Sequence, residues 1–171
     1  MTPTIEVIQS FHNRDAFDCG VDDPNLFIKR QARQATERKR ISTTYVASSL
    51  ESPSQIIGYY TLVNYSVIVP PSLRVYKTYP HPLLAIKLAR LAIDQKWQSR
   101  GFGELLLVDA IRKTVEVSGM IANIGLFVDP STSSIVEFYK GYGFAKVEPT
   151  DPEKLEMWLP FDSCRRLLGP I

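Results

Sequence analysis

Gly101 and Gly103 stand between an apolar run, Leu83–Ile93, and an amphipathic run that begins at Glu104, and little else in the sequence limits the fold as tightly. From Glu104 to about Val117 the apolar residues Leu105, Val108, Ile111 and Val115 recur at helical spacing, which predicts a helix with one buried stripe. After Ser118 and Gly119 comes the strand-like Ile124–Val128, then a second helix over about Ser134 to Lys140, with Ser134 and Glu137 spaced as a capping box. Leu83–Ile93 is composed of good helix formers, and propensity alone makes it a helix. Its position argues the other way. The order strand, glycine turn, helix, strand, helix builds an α/β unit with partly parallel strands, so Leu83–Ile93 is expected as a buried strand followed by a polar connection, Asp94–Ser99.

Upstream, Thr43–Ser49 and Ile56–Val69 are rich in β-branched and aromatic residues, and the polar Glu51–Ser54 separates them as a turn, which predicts antiparallel pairing. Pro70, Pro71, Pro80 and Pro82 bracket an expected surface loop, Pro70–Pro82. No repeat or linker interrupts the 171 residues, so the expectation is one domain over 1–171, its core about 5–160, with a short C-terminal tail. Apolar residues at 44% and charged residues at 22% are enough for a core that hides roughly two-thirds of the unfolded surface. The longest apolar stretch, Ile56–Val69, is broken by Thr61, Asn64 and Ser66, so no membrane span is expected, and the first residues lack the layout of a secretory signal. With only Cys19 and Cys164, a reducing, cytoplasmic setting is the natural reading. His12 and His81 are the only histidines and no C-x-x-C occurs, so no metal site is expected; both histidines read as loop residues, and Cys19 as a small buried hydrophobe.

Net charge is only +2, yet Lys29–Arg40 carries Lys29, Arg30, Arg33, Arg38, Lys39 and Arg40 against the single acid Glu37. The segment lacks Gly and Pro and reads as helix, entered through Asp22 or Asp23 as N-cap with Pro24 just inside, and with Leu26 and Phe27 facing inward. Two readings stand side by side: a solvated helix face, or a platform for the phosphates of RNA or a nucleotide.

Gln98-Ser99-Arg100-Gly101-Phe102-Gly103 carries more chemistry. Glycines there let a ligand approach the backbone, and the unpaired N–H groups at a helix start attract an anion such as a pyrophosphate, with Arg100 adding charge. The dinucleotide spacing G-x-G-x-x-G fails at Leu106.

Gln98-x-x-Gly101-x-Gly103 resembles the Q/R-x-x-G-x-G/A acetyl-CoA signature of the GNAT N-acetyltransferase superfamily, and Glu137–Phe144 (EFYKGYGF) resembles its second landmark, an F-Y-x-x-x-G-F helix end. The likeness extends over roughly 5–160, through Ala16–Gly20, Leu26, Arg30–Ala32, Gly58–Leu62 and Ala89–Asp94, to the acetyltransferase toxins of bacterial toxin–antitoxin pairs. It implies a central mixed, twisted sheet flanked by helices and splayed into an acetyl-CoA cleft. It also implies acetyl transfer from acetyl-CoA to the α-amino group of an aminoacyl-tRNA, which blocks translation, together with a DNA-binding antitoxin and a homodimer.

The resemblance places Tyr139 as general acid, with Tyr142 as competitor, and makes Phe138 the more natural core residue of that helix. A phenol of ordinary pKa about 10 is protonated at neutral pH, as an acid must be. By the same resemblance Leu91, Ala92 and Ile93 offer backbone to the pantetheine arm, one N–H polarising the thioester carbonyl, and Gln98, Ser99, Arg100, Gly101, Phe102, Gly103 and Glu104 hold the pyrophosphate. It favours RNA binding for the basic segment, with Arg30, Arg33 and Arg38 as contacts, while Arg90 either meets the acceptor end of the tRNA or the antitoxin, or pairs with Asp94. No general base stands out; Asp94 and Asp129 read first as turn or cap residues. The rival functions are an N-acetyltransferase for a protein N-terminus, a lysine or a small amine, and a non-catalytic acetyl-CoA- or RNA-binding regulator.

Overall fold

The computed structural model describes residues 2–68, 82–147 and 153–170. The expected loop Pro70–Pro82, except Pro82 itself, and with it His81, lies outside the described residues. Seven strands form one mixed sheet in the order β1-β2-β3-β4-β5-β7-β6: β1 (Thr4–Val7), β2 (Thr43–Ser48), β3 (Ile56–Val67), β4 (Leu83–Ile93), β5 (Gly125–Val128), β6 (Ala145–Lys146) and β7 (Met157–Pro160). The helices are α1 (Asp22–Arg30), α2 (Ala32–Glu37), α3 (Phe102–Ser118), α4 (Ser133–Lys140) and α5 (Phe161–Leu168). Packing divides the chain into two compact units, Met1–Val63 with Ala89–Ala110, and Asn64–Leu88 with Ile111–Ile171; β3, β4 and α3 run from one into the other.

In the first unit β2 pairs antiparallel with β1 and β3. Ile8, Phe17, Phe27, Ile28, Val46, Ile56 and Tyr59 close a core under α1 and α2. Tyr59 sits edge-on to Phe17 and stacked on Phe27, and its hydroxyl donates to the Pro24 carbonyl at 2.8 Å, so the ring fills the core without stranding its polar end. The expected single basic helix is two: Gln31 ends α1 and opens α2, and the bend turns Ala32 and Ala35 into the core. Val21, not Asp22 or Asp23, is the N-cap of α1; it makes no side-chain cap bond, and both aspartates lie in the first turn, where the helix dipole favours acid. Phe27 is buried as expected, whereas Leu26 is exposed.

In the second unit β4 and β5 pair in parallel, Ile86 to Leu126 through Leu88 to Val128, and β7 pairs antiparallel with both β5 and β6. Tyr65, Phe127 and Trp158 form a run of ring contacts, and α5 packs on β5 and β7, where Cys164 is fully buried. The buried face of α3 passes through Leu106, Leu107, Ala110, Ile111 and Thr114; of the expected stripe only Ile111 is fully enclosed, while Leu105, Val108 and Val115 flank it half-buried. The expected capping box at the start of α4 does not form. Thr132 is the N-cap, accepting from the Ile135 N–H, and Glu137 pairs with Lys140 instead.

Candidate active site

β4 is a strand over Leu83–Ile93, as its position demanded and its propensity did not. Its parallel pairing with β5 stops at Leu88, and the strand runs on for five more residues to Ile93. On its β3 side the join stays close: the Asp94 N–H bonds to the Ile57 carbonyl at 2.9 Å, and a Cβ on Gly58 would stand 2.5 Å from Ile93 Cδ1 and 2.9 Å from the Ala92 carbonyl oxygen. Only glycine lets β3 approach Ala92 and Ile93 that closely.

The connection from β4 to α3 is tied down by side chains. Asp94 is the cap residue the sequence suggested: its carboxylate accepts from the N–H groups of Lys96 and Asp18, each at 3.0 Å. Gln98 is exposed, yet its Nε2 donates to the carbonyls of Ile93 at 2.9 Å and Cys19 at 3.0 Å. Gln98 therefore braces the end of β4 against the loop before α1, a role the motif did not reveal because the partners lie at 19 and 93. Ser99 and Gly101 both take left-handed conformations, φ 58° and 83°, on either side of Arg100. The Arg100 guanidinium lies over the Trp97 ring, whose edge meets Phe102. α3 then starts with the bond from the Leu105 N–H to the Gly101 carbonyl, leaving the first-turn N–H groups of Phe102, Gly103 and Glu104 without a carbonyl one turn back. Gly101 is required by its φ. Gly103 is not: its φ is ordinary and a Cβ there would come no nearer than 4.0 Å to Ile93. A glycine that the chain itself does not need fits a backbone approached from outside.

In the second unit Tyr139, not Phe138, is the buried ring of α4. It makes edge contacts with Phe138 and Phe144, at centroid distances of 5.3 and 5.2 Å, and the Phe144 N–H bonds to its carbonyl. Burial pushes the phenol up to about 12. Among the described residues its hydroxyl has no hydrogen-bond partner. Asp129 pairs with Lys87, which also reaches Glu156 at 3.4 Å.

Of the basic segment, Arg30 and Arg38 are exposed, while Arg33 is half-buried and pairs with Glu37 at 3.6 Å. Arg90 does not pair with Asp94. Its Nε meets Asp23 at 3.2 Å and its guanidinium lies 4.1 Å over the Phe27 ring, because the Asp94 carboxylate is taken by two backbone N–H groups. Among the described residues no group of three or more His, Cys, Asp or Glu is placed to hold a metal ion, and no helix is long and apolar enough to cross a membrane.

A mixed sheet whose fourth strand outruns its parallel neighbour, followed by a glycine turn into a long helix, is the frame of an acyl-CoA-dependent transferase. The chain belongs to the GNAT acetyltransferase family: the family description "Acetyltransferase (GNAT) domain" matches residues 15–161. It is 34% identical over 116 residues to a tRNA-acetylating toxin of Mycobacterium tuberculosis, covering 67% of this chain and 68% of that one. Among solved structures it resembles a tyrosine-to-phenylalanine mutant of the toxin AtaT bound to the C-terminus of the antitoxin AtaR and acetyl-CoA, with TM-score 0.83, 25% identity and coverage of 99% and 100%. AtaT complexed with acetyl-methionyl-tRNAfMet is equally similar, with TM-score 0.83, 28% identity and coverage of 98% and 99%.

Proposed function

We propose that this chain moves an acetyl group from acetyl-CoA to the α-amino group of an aminoacyl-tRNA and so blocks translation, as the toxin of a toxin–antitoxin pair. The likeness to a tRNA-acetylating toxin and to AtaT in complex with an acetylated tRNA carries this reading. Residues 1–171 act as one acetyltransferase domain. Acetyl-CoA supplies the acetyl group as an activated thioester. Backbone N–H groups of Leu91, Ala92 and Ile93, on the length of β4 that outruns β5, bind along its arm and polarise the carbonyl. The backbone of Ser99–Glu104, with Arg100, holds the pyrophosphate, and Gln98 keeps that turn in place. The amine nitrogen attacks the carbonyl carbon, the C–N bond forms as the C–S bond breaks, and the departing sulfur takes the proton of the Tyr139 hydroxyl. The amine gives up its own proton to solvent. A phenol held at about 12 by burial keeps its proton at every physiological pH, and its hydroxyl has no competing acceptor among the described residues. Arg30, Arg33, Arg38 and Arg90 contact the RNA, with the exposed Arg30 and Arg38 contributing most. An antitoxin that binds DNA holds the enzyme silent, and the enzyme forms a homodimer and works in the cytoplasm, where charged tRNA is.

The test is radiolabelled acetyl-CoA with charged and uncharged tRNA pools. Label is expected on charged tRNA alone, and Tyr139→Phe is expected to slow transfer by about 10²–10⁴-fold while acetyl-CoA still binds. Label on protein N-termini, lysines or small amines in its place overturns the tRNA reading. Acetyl-CoA binding with no turnover on any amine overturns the enzymatic one.

A further inference from the structure

The short loop Asp18-Cys19-Gly20 lies between the start of α1 and the β4–α3 connection, all within the first unit. Toward the connection it presents its backbone. The Asp18 N–H donates to the Asp94 carboxylate at 3.0 Å, the Asp18 carbonyl accepts from the Gln95 N–H at 2.9 Å, and the Cys19 carbonyl accepts from Gln98 Nε2 at 3.0 Å. The loop therefore grips the first, second and last residues of Asp94–Gln98, the stretch that delivers the chain to Ser99–Glu104. Such a grip positions the turn only as firmly as the loop itself is held.

Asn25, in α1, is what holds it. Its Oδ1 accepts the Cys19 N–H at 2.9 Å and its Nδ2 donates to Asp18 Oδ1 at 2.8 Å. The same Asp18 oxygen accepts the Gly20 N–H at 2.8 Å, a tight turn in which a side chain bonds the backbone two residues on. The Gly20 N–H and the Asn25 amide together keep the Asp18 carboxyl below the usual carboxylate range, so it remains an acceptor at neutral pH. The position asks for one acceptor and one donor on a short side chain, which a carboxamide supplies. An aspartate there would set a second carboxylate against Asp18, and an apolar residue would leave the N–H of the buried Cys19 unpaired. α1 is a firm anchor for this clasp, because Phe27 and Ile28 sit in the core and the Tyr59 hydroxyl bonds the Pro24 carbonyl beside Asn25.

We propose that Asn25 is a positioning residue for acetyl-CoA: through the backbone of Asp18 and Cys19 it holds Asp94–Gln98, and with them the turn that receives the pyrophosphate. The inference rests on the assignment of Ser99–Glu104 to the pyrophosphate made above. Backbone N–H groups bind a phosphate well only when they converge on it, so a loosened turn loses affinity although no group touching the ligand is removed. The test measures CoA affinity of the full-length protein by calorimetry for Asn25→Ala, Gln98→Ala and the double variant. Each single change is expected to weaken CoA binding about 2–10-fold, the order of one hydrogen bond lost from the support. The double variant is expected to lose less than the product of the two, since both changes act on the Cys19 link. A purely structural role for Asn25 would lower the Tm and leave the affinity of the folded protein unmoved. Asn25→Ser, a milder truncation, is measured in parallel and is expected to weaken CoA binding in the same way, so the comparison stands even where Asn25→Ala folds poorly. Gly103→Glu tests the underlying assignment, because the first turn of α3 tolerates an acid while a carboxylate there repels the pyrophosphate. Lost CoA affinity in Gly103→Glu with wild-type affinity in the Asn25 variants overturns the positioning role alone, as do losses that multiply in full in the double variant. Undiminished affinity in Gly103→Glu removes the pyrophosphate assignment and the proposal with it.

Discussion

His12 is almost wholly enclosed in the turn after β1, its Nδ1 accepting the Gln9 N–H at 2.9 Å and its Nε2, without a hydrogen-bond partner, 3.6 Å from a Glu6 carboxylate oxygen. Desolvation lowers its pKa below the ordinary 6.5, against the smaller upward pull of Glu6. The folded state thus holds the proton less tightly than the unfolded chain. Stability from this residue is full above about pH 6.5 and is lost as pH falls through the lower folded value. Thermal denaturation followed between pH 7.5 and 5 should show a falling Tm for the wild type and a shallower fall for His12→Gln; parallel slopes would show that another group sets the acid limit. A loop residue was all the sequence made of His12, because its burial depends on a ring contact with Phe11 and a carboxylate on β1. Tyr139 stands out in the sequence only through the landmark it belongs to, and its burial was not legible there. Which of two adjacent aromatic residues faces inward is set by the rotation of α4, and Tyr139 shares its inner face with Val136, one turn earlier.

At the scale of elements, β4 was legible because order outweighed propensity: a strand on that side of the glycine turn is what a parallel neighbour requires, and β5 supplies it. The break between α1 and α2 was not legible, since nothing local marks Gln31; two alanines find the core only if the axis bends. The α3 stripe was misjudged for a related reason. Most of the α3 helix is apolar on more than one side, and period alone does not say which side is fully covered. Gly58 shows what binds these elements into a site. Gly58→Ala forces a methyl group against the Ala92 carbonyl and Ile93, which should cost about 1–3 kcal/mol in denaturant titrations. Because the displaced residues are those proposed to lie along the pantetheine arm, acetyl-CoA affinity measured by calorimetry should fall as well. A loss of stability with unchanged affinity would detach Ala92 and Ile93 from the binding role.

For the molecule as a whole, charge is arranged rather than accumulated. The net charge of +2 hides six cations between positions 29 and 40, and the structure divides them by availability: Arg30, Arg38, Lys39 and Arg40 are exposed, Lys29 is half-buried and Arg33 pairs with Glu37. If these cations serve only to keep α1 and α2 solvated, neutralising them alters RNA affinity little at any salt. If they bind phosphates, removing one such cation leaves one more counterion on the RNA, so the logarithm of the binding constant falls less steeply with the logarithm of salt, by about 0.7–0.9 per phosphate. Arg30→Ala with Arg38→Ala should therefore weaken tRNA binding at low salt and reduce the slope by about 1.5, whereas Arg33→Ala, which frees Glu37 as it removes a cation, should alter the slope by less than either exposed arginine alone. Binding isotherms at a series of salt concentrations separate the cases. An unchanged slope in the double variant assigns the basic segment to solvation and moves RNA recognition elsewhere on the enzyme, whereas a reduced slope with full acetyl-CoA affinity locates phosphate recognition on α1 and α2 independently of the chemistry proposed for Tyr139.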